Sequence, residues 1–261
     1  MFKAWTMAAA LFLGATGADA FDFKSGELTL GYGKMSLNDL TDAKVDNLQI
    51  GARTSIGIGE DVTLSFGINH ADSELFFDRL TVLSFLAQYQ ISDSFGLGAF
   101  FDQTRVADMY SNEKINHFGL QGSLYINNFE LMGFVGRGQD EFDTTSKVFG
   151  INGQYAFGNG LDAGFFFIHE SFDGDADKEY GLSLGYLVSG DSAAPIHFNA
   201  SIGRSEGIFE SANHIRASIT IPLGGTPSRG TRQFHPHSAE INIVSNFGDI
   251  SGVRVRCACS T

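Results

Sequence analysis

The amino-acid sequence predicts an all-β fold: a transmembrane, antiparallel, up-and-down β-barrel of about twelve strands, with roughly ten to fourteen as the range the pattern allows. Three observations predict it. Apolar residues alternate with small polar ones, with period two, from residue 27 to residue 223. The connections between alternating runs sort into a short kind and a long kind, and the two kinds take turns along the chain. Composition agrees: of 261 residues, 32 are glycine, 25 are phenylalanine and 4 are proline, which suits a sheet with one small-residue face and one apolar face.

In chain order, the first element is a targeting segment, residues 1–20. Lys3 supplies a positive start, AWTMAAALFLGATG (4–17) is apolar, and Ala18-Asp19-Ala20 fits the small-x-small cleavage rule, so the mature chain is expected to begin at Phe21. The apolar run is shorter than the ~20 residues of a spanning helix, and no later stretch approaches that length.

The barrel is expected over residues 21–223. Leu48, Ile50, Ala52, Ile56 and Ile58 share one face, and Gln49, Gly51, Arg53, Ser55 and Gly57 the other. Val62, Leu64, Phe66 and Ile68 then oppose Thr63, Ser65, Gly67 and Asn69. His117, Gly119, Gln121 and Ser123 alternate with Phe118, Leu120, Gly122 and Leu124 ahead of a two-residue Asn127-Asn128 turn. The same pattern recurs at 149–157, 180–186, 196–203 and 215–221. Runs near 80–91, 96–105, 129–137 and 161–170 carry apolar residues in both phases, and their facing is ambiguous.

Short connections fall at 59–61, 92–94, 127–128, 158–160 and 190–195. Longer, acidic ones fall at 36–47, 70–79, 106–114, 138–147, 171–179 and 205–213. Strands of roughly 10 residues, the length that crosses a bilayer at a tilt, remain between them. A soluble sandwich has no reason to sort its turns into two classes, whereas a membrane barrel places short turns on one side and long loops on the other. With no water in the bilayer to satisfy backbone groups, the sheet must close. The Phe, Leu and Ile face then meets lipid. The Gly, Ser, Thr, Asn and Gln face lines a lumen too small-sided and polar to form a core, which predicts a water-filled interior.

Aromatic residues stand at both strand ends, as expected of interfacial girdles. Tyr89, Phe95, Tyr125, Phe129, Tyr155, Phe157 and Tyr186 lie near short connections; Phe76, Phe77, Tyr110, Phe142, Phe172 and Phe209 lie near long ones.

The last segment, residues 224–261, differs in character. TPSRG (226–230) reads as a linker and several arginines make the segment basic. Ile241, Ile243, Ser245 and Phe247 alternate with polar residues, so it is either a periplasmic extension or an extra strand pair. Cys257 and Cys259 are the two cysteines; with none in the body of the chain, no disulfide framework is expected, and without nearby ligands at metal-site spacing no metal role is assigned.

From Glu27 to Leu223 this pattern resembles Gram-negative outer-membrane β-barrels of the porin type, in architecture rather than in a specific motif. Such barrels usually end in a strand of polar-x-Gly-x-x-apolar-x-apolar form, often with a final aromatic. RASITIPL (216–223) approximates it through Arg216, Ser218, Ile221 and Leu223, with serine for glycine and no final aromatic. The resemblance implies an exported bacterial outer-membrane channel for passive diffusion of small hydrophilic solutes or ions. Its expected partners are those solutes, outer-membrane lipid, lipopolysaccharide and the barrel-assembly machinery, and a homo-oligomer is allowed. No cofactor is expected. The net charge of -13, without a Lys/Arg cluster in the barrel, argues against nucleic acid.

Lumen-phase polar residues are the functional candidates: Gln49, Arg53, His117, Gln121, Asn152, Gln154, His197, Asn199 and Arg216. Opposed charges across a lumen sort permeating solutes, and Asp102, Glu130 and Asp162 are candidate partners of the arginines. The weak metal candidate is the series Asp173, Asp175, Asp177 and Glu179, which lacks the glycine and spacing of a calcium loop and reads as a solvated acidic loop. Two other classes stay open. A non-conducting structural or adhesive barrel is favoured if Phe100, Phe134 and Phe166 face inward. A phospholipase-type enzyme needs a nucleophile and base within hydrogen-bond reach. His117 and Ser123, six positions apart and thus about 20 Å along a strand, do not supply that pair.

Overall fold

The computed structural model describes residues 21–37, 44–73, 79–107, 112–141, 143–172, 175–190, 193–207 and 211–225. They form twelve strands: β1 (Phe21–Leu37), β2 (Lys44–Ile58), β3 (Val62–Ser73), β4 (Arg79–Ser92), β5 (Phe95–Ala107), β6 (Asn112–Ile126), β7 (Phe129–Asp140), β8 (Thr145–Ala156), β9 (Leu161–Ser171), β10 (Ala176–Gly190), β11 (Ala193–Glu206) and β12 (Ser211–Gly225). Each pairs antiparallel with its neighbours in sequence, and β12 pairs with β1, so the sheet is a closed up-and-down barrel. RASITIPL lies in β12, the closing strand.

The strands are longer than the alternation alone suggests, from 11 residues in β9 to 17 in β1. Much of what reads as long acidic loop is strand: residues 44–47, 70–73, 138–140 and 176–179 continue their ladders. In these extensions polar residues such as Asn47, Asp177 and Glu179 occupy the inner face, so the hydrophobic alternation stops before the hydrogen bonding does.

At the other end the turns are tight. Asn127 takes φ 53° in the two-residue β6–β7 connection, a left-handed conformation that asparagine tolerates better than most residues. Gly59 takes φ 63° in the β2–β3 connection. Residues 1–20 and 226–261, with Cys257 and Cys259, lie outside the described residues. So does the alternation at 241–247.

The outer face is apolar and bare. Ile215, Leu182 and Val135 keep about 60% of their surface, and Leu30, Leu120, Phe118 and Phe149 are likewise exposed. Tyr89, Phe95, Tyr155, Phe157 and Tyr186 stand exposed at the short-turn end, as girdle residues should. Tyr125 does not: it is buried and faces the lumen, because its ladder partner is the inward Glu130. Phe76, Phe77, Tyr110, Phe142 and Phe209 lie outside the described residues.

The inner face departs from the expectation of a wholly polar, water-filled interior. Leu86, Phe100, Phe134, Val148 and Ile168 form a buried apolar cluster inside the barrel, on strands β4, β5, β7, β8 and β9. A second cluster, Ala71, Leu80, Val82, Val106 and Ile115, lies toward the long-connection end. The four strands with ambiguous alternation, β4, β5, β7 and β9, all contribute to the first cluster: they carry apolar residues in both phases because one phase meets the exterior and the other packs inside the barrel.

Candidate functional site

The lumen is the candidate site, and its wall has two unlike halves. On β5 and β6 the inward residues, including Phe100, Asp102, Thr104, Ile115, His117, Gln121 and Ser123, are buried. On β11, β12, β1 and β2 the inward residues Asn199, Arg216, Ser218, Thr220, Glu27, Thr29, Gln49 and Arg53 are half-buried and reached by solvent. Solvent thus reaches the interior along these residues of β11–β2, whereas Met35, Asn47, Ser55, Ser205 and His214 on the same strands are buried. Toward the short-turn end, Glu130, Asn152 and Gln154 are also half-buried.

Glycine sets how closely these walls approach. A Cβ on Gly119 would lie 2.6 Å from the Gly136 Cα and 2.8 Å from the Phe100 ring. One on Gly150 would collide with the Phe134 ring. Phe100 and Phe134 meet edge to face at 5.9 Å because the strands beside them carry no side chain there. On the open wall a Cβ at Gly31, Gly33 or Gly51 would meet nothing closer than 3.5 Å.

Buried charge is organised in histidine–carboxylate pairs that skip strands. His117 Nε2 on β6 donates to Glu170 Oε1 on β9 at 2.8 Å, and Ser146 Oγ donates to the same oxygen. A Cβ on Gly138 would collide with Ser146 Oγ and lie 2.6 Å from His117 Nε2, so this glycine is the seat of the pair. His197 Nε2 on β11 donates to Asp162 Oδ2 on β9 at 2.7 Å, and Gln154 Nε2 donates to Asp162 Oδ1 at 2.7 Å. The seat here is Gly185, where a Cβ would collide with the Asp162 carboxylate. On β12, Arg216 donates to Glu179 of β10, with His214 Nε2 3.6 Å from the same carboxylate oxygen. Phe166 stacks on His214 at 6.3 Å and lies under the Arg216 guanidinium at 5.8 Å.

Every residue expected in the inward phase faces the lumen, but the residues do not form one site. Gln154 and His197 meet through Asp162. His117 and Gln121 are buried in the filled half. Gln49, Asn152 and Asn199 stand separately, on β2, β8 and β11. Arg53 is laddered to Glu27 and lies within electrostatic reach of Glu27 and of Asp102 on β5, while Asp102 reaches His117 in turn. Arg216 is level with Asn47 across Gly33, six positions from Arg53 along β2, so the two arginines are about 20 Å apart along the sheet. Of the acidic series, Asp173 lies outside the described residues, and Asp175 is exposed beside the turn. Asp177 and Glu179 are not loop residues; they are buried, lumen-facing members of β10. Among the described residues no three His, Cys, Asp or Glu side chains are grouped to hold a metal ion.

Glu27, Glu170, Asp177, Glu179 and His214 are lumen residues beyond those singled out as lumen candidates. The signal was parity: Glu179 shares the phase of Ser183, and His214 that of Arg216. The Ser146–Glu170–His117 group is not a hydrolase triad. Its carboxylate sits between serine and histidine and accepts from both, whereas activation of the hydroxyl needs the imidazole in the middle.

No protein-family model matches the chain, and no curated protein matches it. Solved structures do. An outer membrane channel from Pseudomonas putida F1 superimposes with a TM-score of 0.54 at 10% identity, over 79% of this chain and 98% of that one. The KdgM porin in complex with disordered oligogalacturonate superimposes with a TM-score of 0.50 at 12% identity, over 74% of this chain and 98% of that one. At such identities the likeness is one of fold: the chain has the porin-like barrel fold of outer-membrane proteins.

Proposed function

We propose that the protein is a porin-like channel of the bacterial outer membrane, reached after removal of residues 1–20, which passes small hydrophilic solutes or ions by passive diffusion and prefers cations. The observation that carries this reading is the strip of polar, solvent-reached residues on β11–β2 inside a closed barrel whose exterior is apolar. The fold it shares with an outer membrane channel and a porin supports the same reading. The preference for cations follows from sign. Glu27, Asp102, Glu130, Asp162, Glu170 and Glu179 face the lumen, against Arg53 and Arg216 as the lumen-facing arginines among the described residues. Lys24, at the rim, is held by Asp22 at 2.8 Å. Excess carboxylate in a narrow passage raises the local concentration of cations. Arg53, Gln49, Asn199 and Arg216 line the passage, and Arg53 with Glu27 is the pair best placed to discriminate solutes.

A second reading, a non-conducting structural or adhesive barrel, is favoured by the Phe100–Phe134 cluster inside the lumen. Single-channel recording separates the two. The refolded protein in a planar bilayer under a KCl gradient is expected to give discrete steps, with a reversal potential of the cation-selective sign. A folded barrel that passes no current would overturn the channel reading in favour of the second. Steps with the anion-selective sign would overturn only the cation preference.

A further inference from the structure

The outer face of β5–β8 carries a basic patch at its long-connection end. Arg105 on β5 is the ladder partner of Lys114 on β6, and Arg137 on β7 is the ladder partner of Lys147 on β8. All four are exposed, and their neighbours in sequence turn inward, as the buried Val106, Ile115 and Ser146 do. Among the described residues none of the four is in an ion pair; the lysine and arginine of β1 and β11 are, as Lys34 with Asp46 and Arg204 with Glu206. Like charges placed directly opposite each other across a ladder destabilise a sheet. Two such pairs stand on adjacent hairpins with no ion-pair partner among the described residues, so an anion placed between them would relieve the repulsion.

The surroundings define that anion. Between the basic pairs runs an outward row of amides, Gln103, Asn116 and Gln139, with Gln103 Nε2 donating to Asn116 Oδ1 at 3.3 Å. Arg105 Nη2 donates to Gln103 Oε1 at 3.4 Å. Two acids stand at the adjoining turn: Asp143, which accepts from Gln139 Nε2 at 2.9 Å, and the exposed Glu141. On the side toward the membrane the patch adjoins apolar residues directly. Phe118 is the ladder partner of Arg137 and of Phe101, and Phe149 lies two positions beyond Lys147 on the same face. Long basic side chains at the edge of an apolar belt reach up to the headgroup layer while their stems stay in hydrocarbon.

We propose that this patch binds a lipid headgroup carrying two phosphate groups, in the leaflet that faces the long connections. One phosphate lies between Arg105 and Lys114, the other between Arg137 and Lys147. The amide row is then available to the sugar or hydroxyl groups that join them. The inference rests on the apolar exterior being lipid-facing and is independent of whether the lumen conducts.

The test titrates the refolded full-length protein in neutral detergent with diphosphoryl lipid A and counts bound lipid by native mass spectrometry. Binding is expected to weaken at least about tenfold in Arg105→Gln/Lys114→Gln and again in Arg137→Gln/Lys147→Gln, the loss of both basic partners of one phosphate each time. Lys34→Gln/Arg204→Gln, which removes bases already paired, is expected to leave it unchanged. These exposed substitutions relieve repulsion, so the variants should fold at least as well as the parent. Equal binding by lipid A stripped of phosphate, equal binding by phosphatidylglycerol, or undiminished binding in the quadruple variant would overturn the proposal. A barrel that conducts without binding lipid A would sink this inference alone, and one that binds lipid A without conducting would sink the channel alone.

Discussion

The filled half of the lumen, β4–β9, and the open half, β11–β2, are built from the same alternation and use glycine for opposite ends. In the filled half, glycines are recesses: Gly119 and Gly136 receive the Phe100 ring and Gly150 receives Phe134. In the open half, Gly31, Gly33 and Gly51 leave room for a Cβ: Gln49, Arg216 and Asn69 come no closer to it than 3.5 Å. A small inward residue thus means tight packing in the filled half and slack at these three positions of the open half, where Gly203 and Gly57 are in turn closely packed against His214 and Lys24. The difference lies in what the facing strands contribute.

Substitution at matched glycines breaks this comparison most sharply. Gly119→Ala forces a Cβ against backbone and ring, so the variant should fail to reach the heat-resistant, fast-migrating barrel form in cold electrophoresis, while Gly31→Ala should reach it like the parent. Equal folding of the two would mean that the halves are not packed differently. Next in size is Phe134→Ala, which should cost about 3 kcal/mol in urea unfolding through the cavity it leaves. It should also raise single-channel conductance, since the space opens toward the lumen. Gly51→Phe on the open wall should do the reverse, lowering conductance severalfold with little change in the unfolding midpoint. The smallest effect is expected from Glu27→Gln: a shift in reversal potential toward neutrality by less than about a factor of two in permeability ratio, because the other lumen carboxylates remain. A larger shift would make the Glu27–Arg53 pair a dominant filter.

The parity of β2, β3, β6, β8, β10, β11 and β12 was legible in the sequence because lipid imposes it, as on Leu48, Ile50 and Ile215, which face outward; in β4, β5, β7 and β9 it was not, because apolar residues occupy both phases. The order of strands was legible too, since short and long connections leave little choice but an up-and-down sheet. Strand ends were not, because polar residues beyond the apolar belt extend a ladder without marking it, as 176–179 do in β10. Nor were the partners inside the lumen. His117 and Glu170 are 53 positions apart on strands that are not neighbours, and their meeting depends on curvature and on the space over Gly138. Tyr125 shows the limit of reading by residue type: an aromatic at a strand end suggests a girdle, yet its phase decides, and its phase is inward.

The ladder between β1 and β12 joins Ser25 to Gly225 and Leu37 to Ala212, the two extremes of the barrel. Every other ladder joins strands adjacent in sequence and can form as a local hairpin. This seam alone requires both ends of the chain to be present. Until it forms, the nascent sheet has two edges of unsatisfied backbone, the condition under which strands pair with the wrong chain. Contacts of such long sequence separation are also the slowest to find. Closure is thus the pairing of longest sequence separation in the sheet, and shielding one edge until it forms would raise the yield of folded barrel. The seam residues, Thr29 with Thr220 at 3.0 Å among them, are where a defect would show as failed assembly rather than as a weaker barrel.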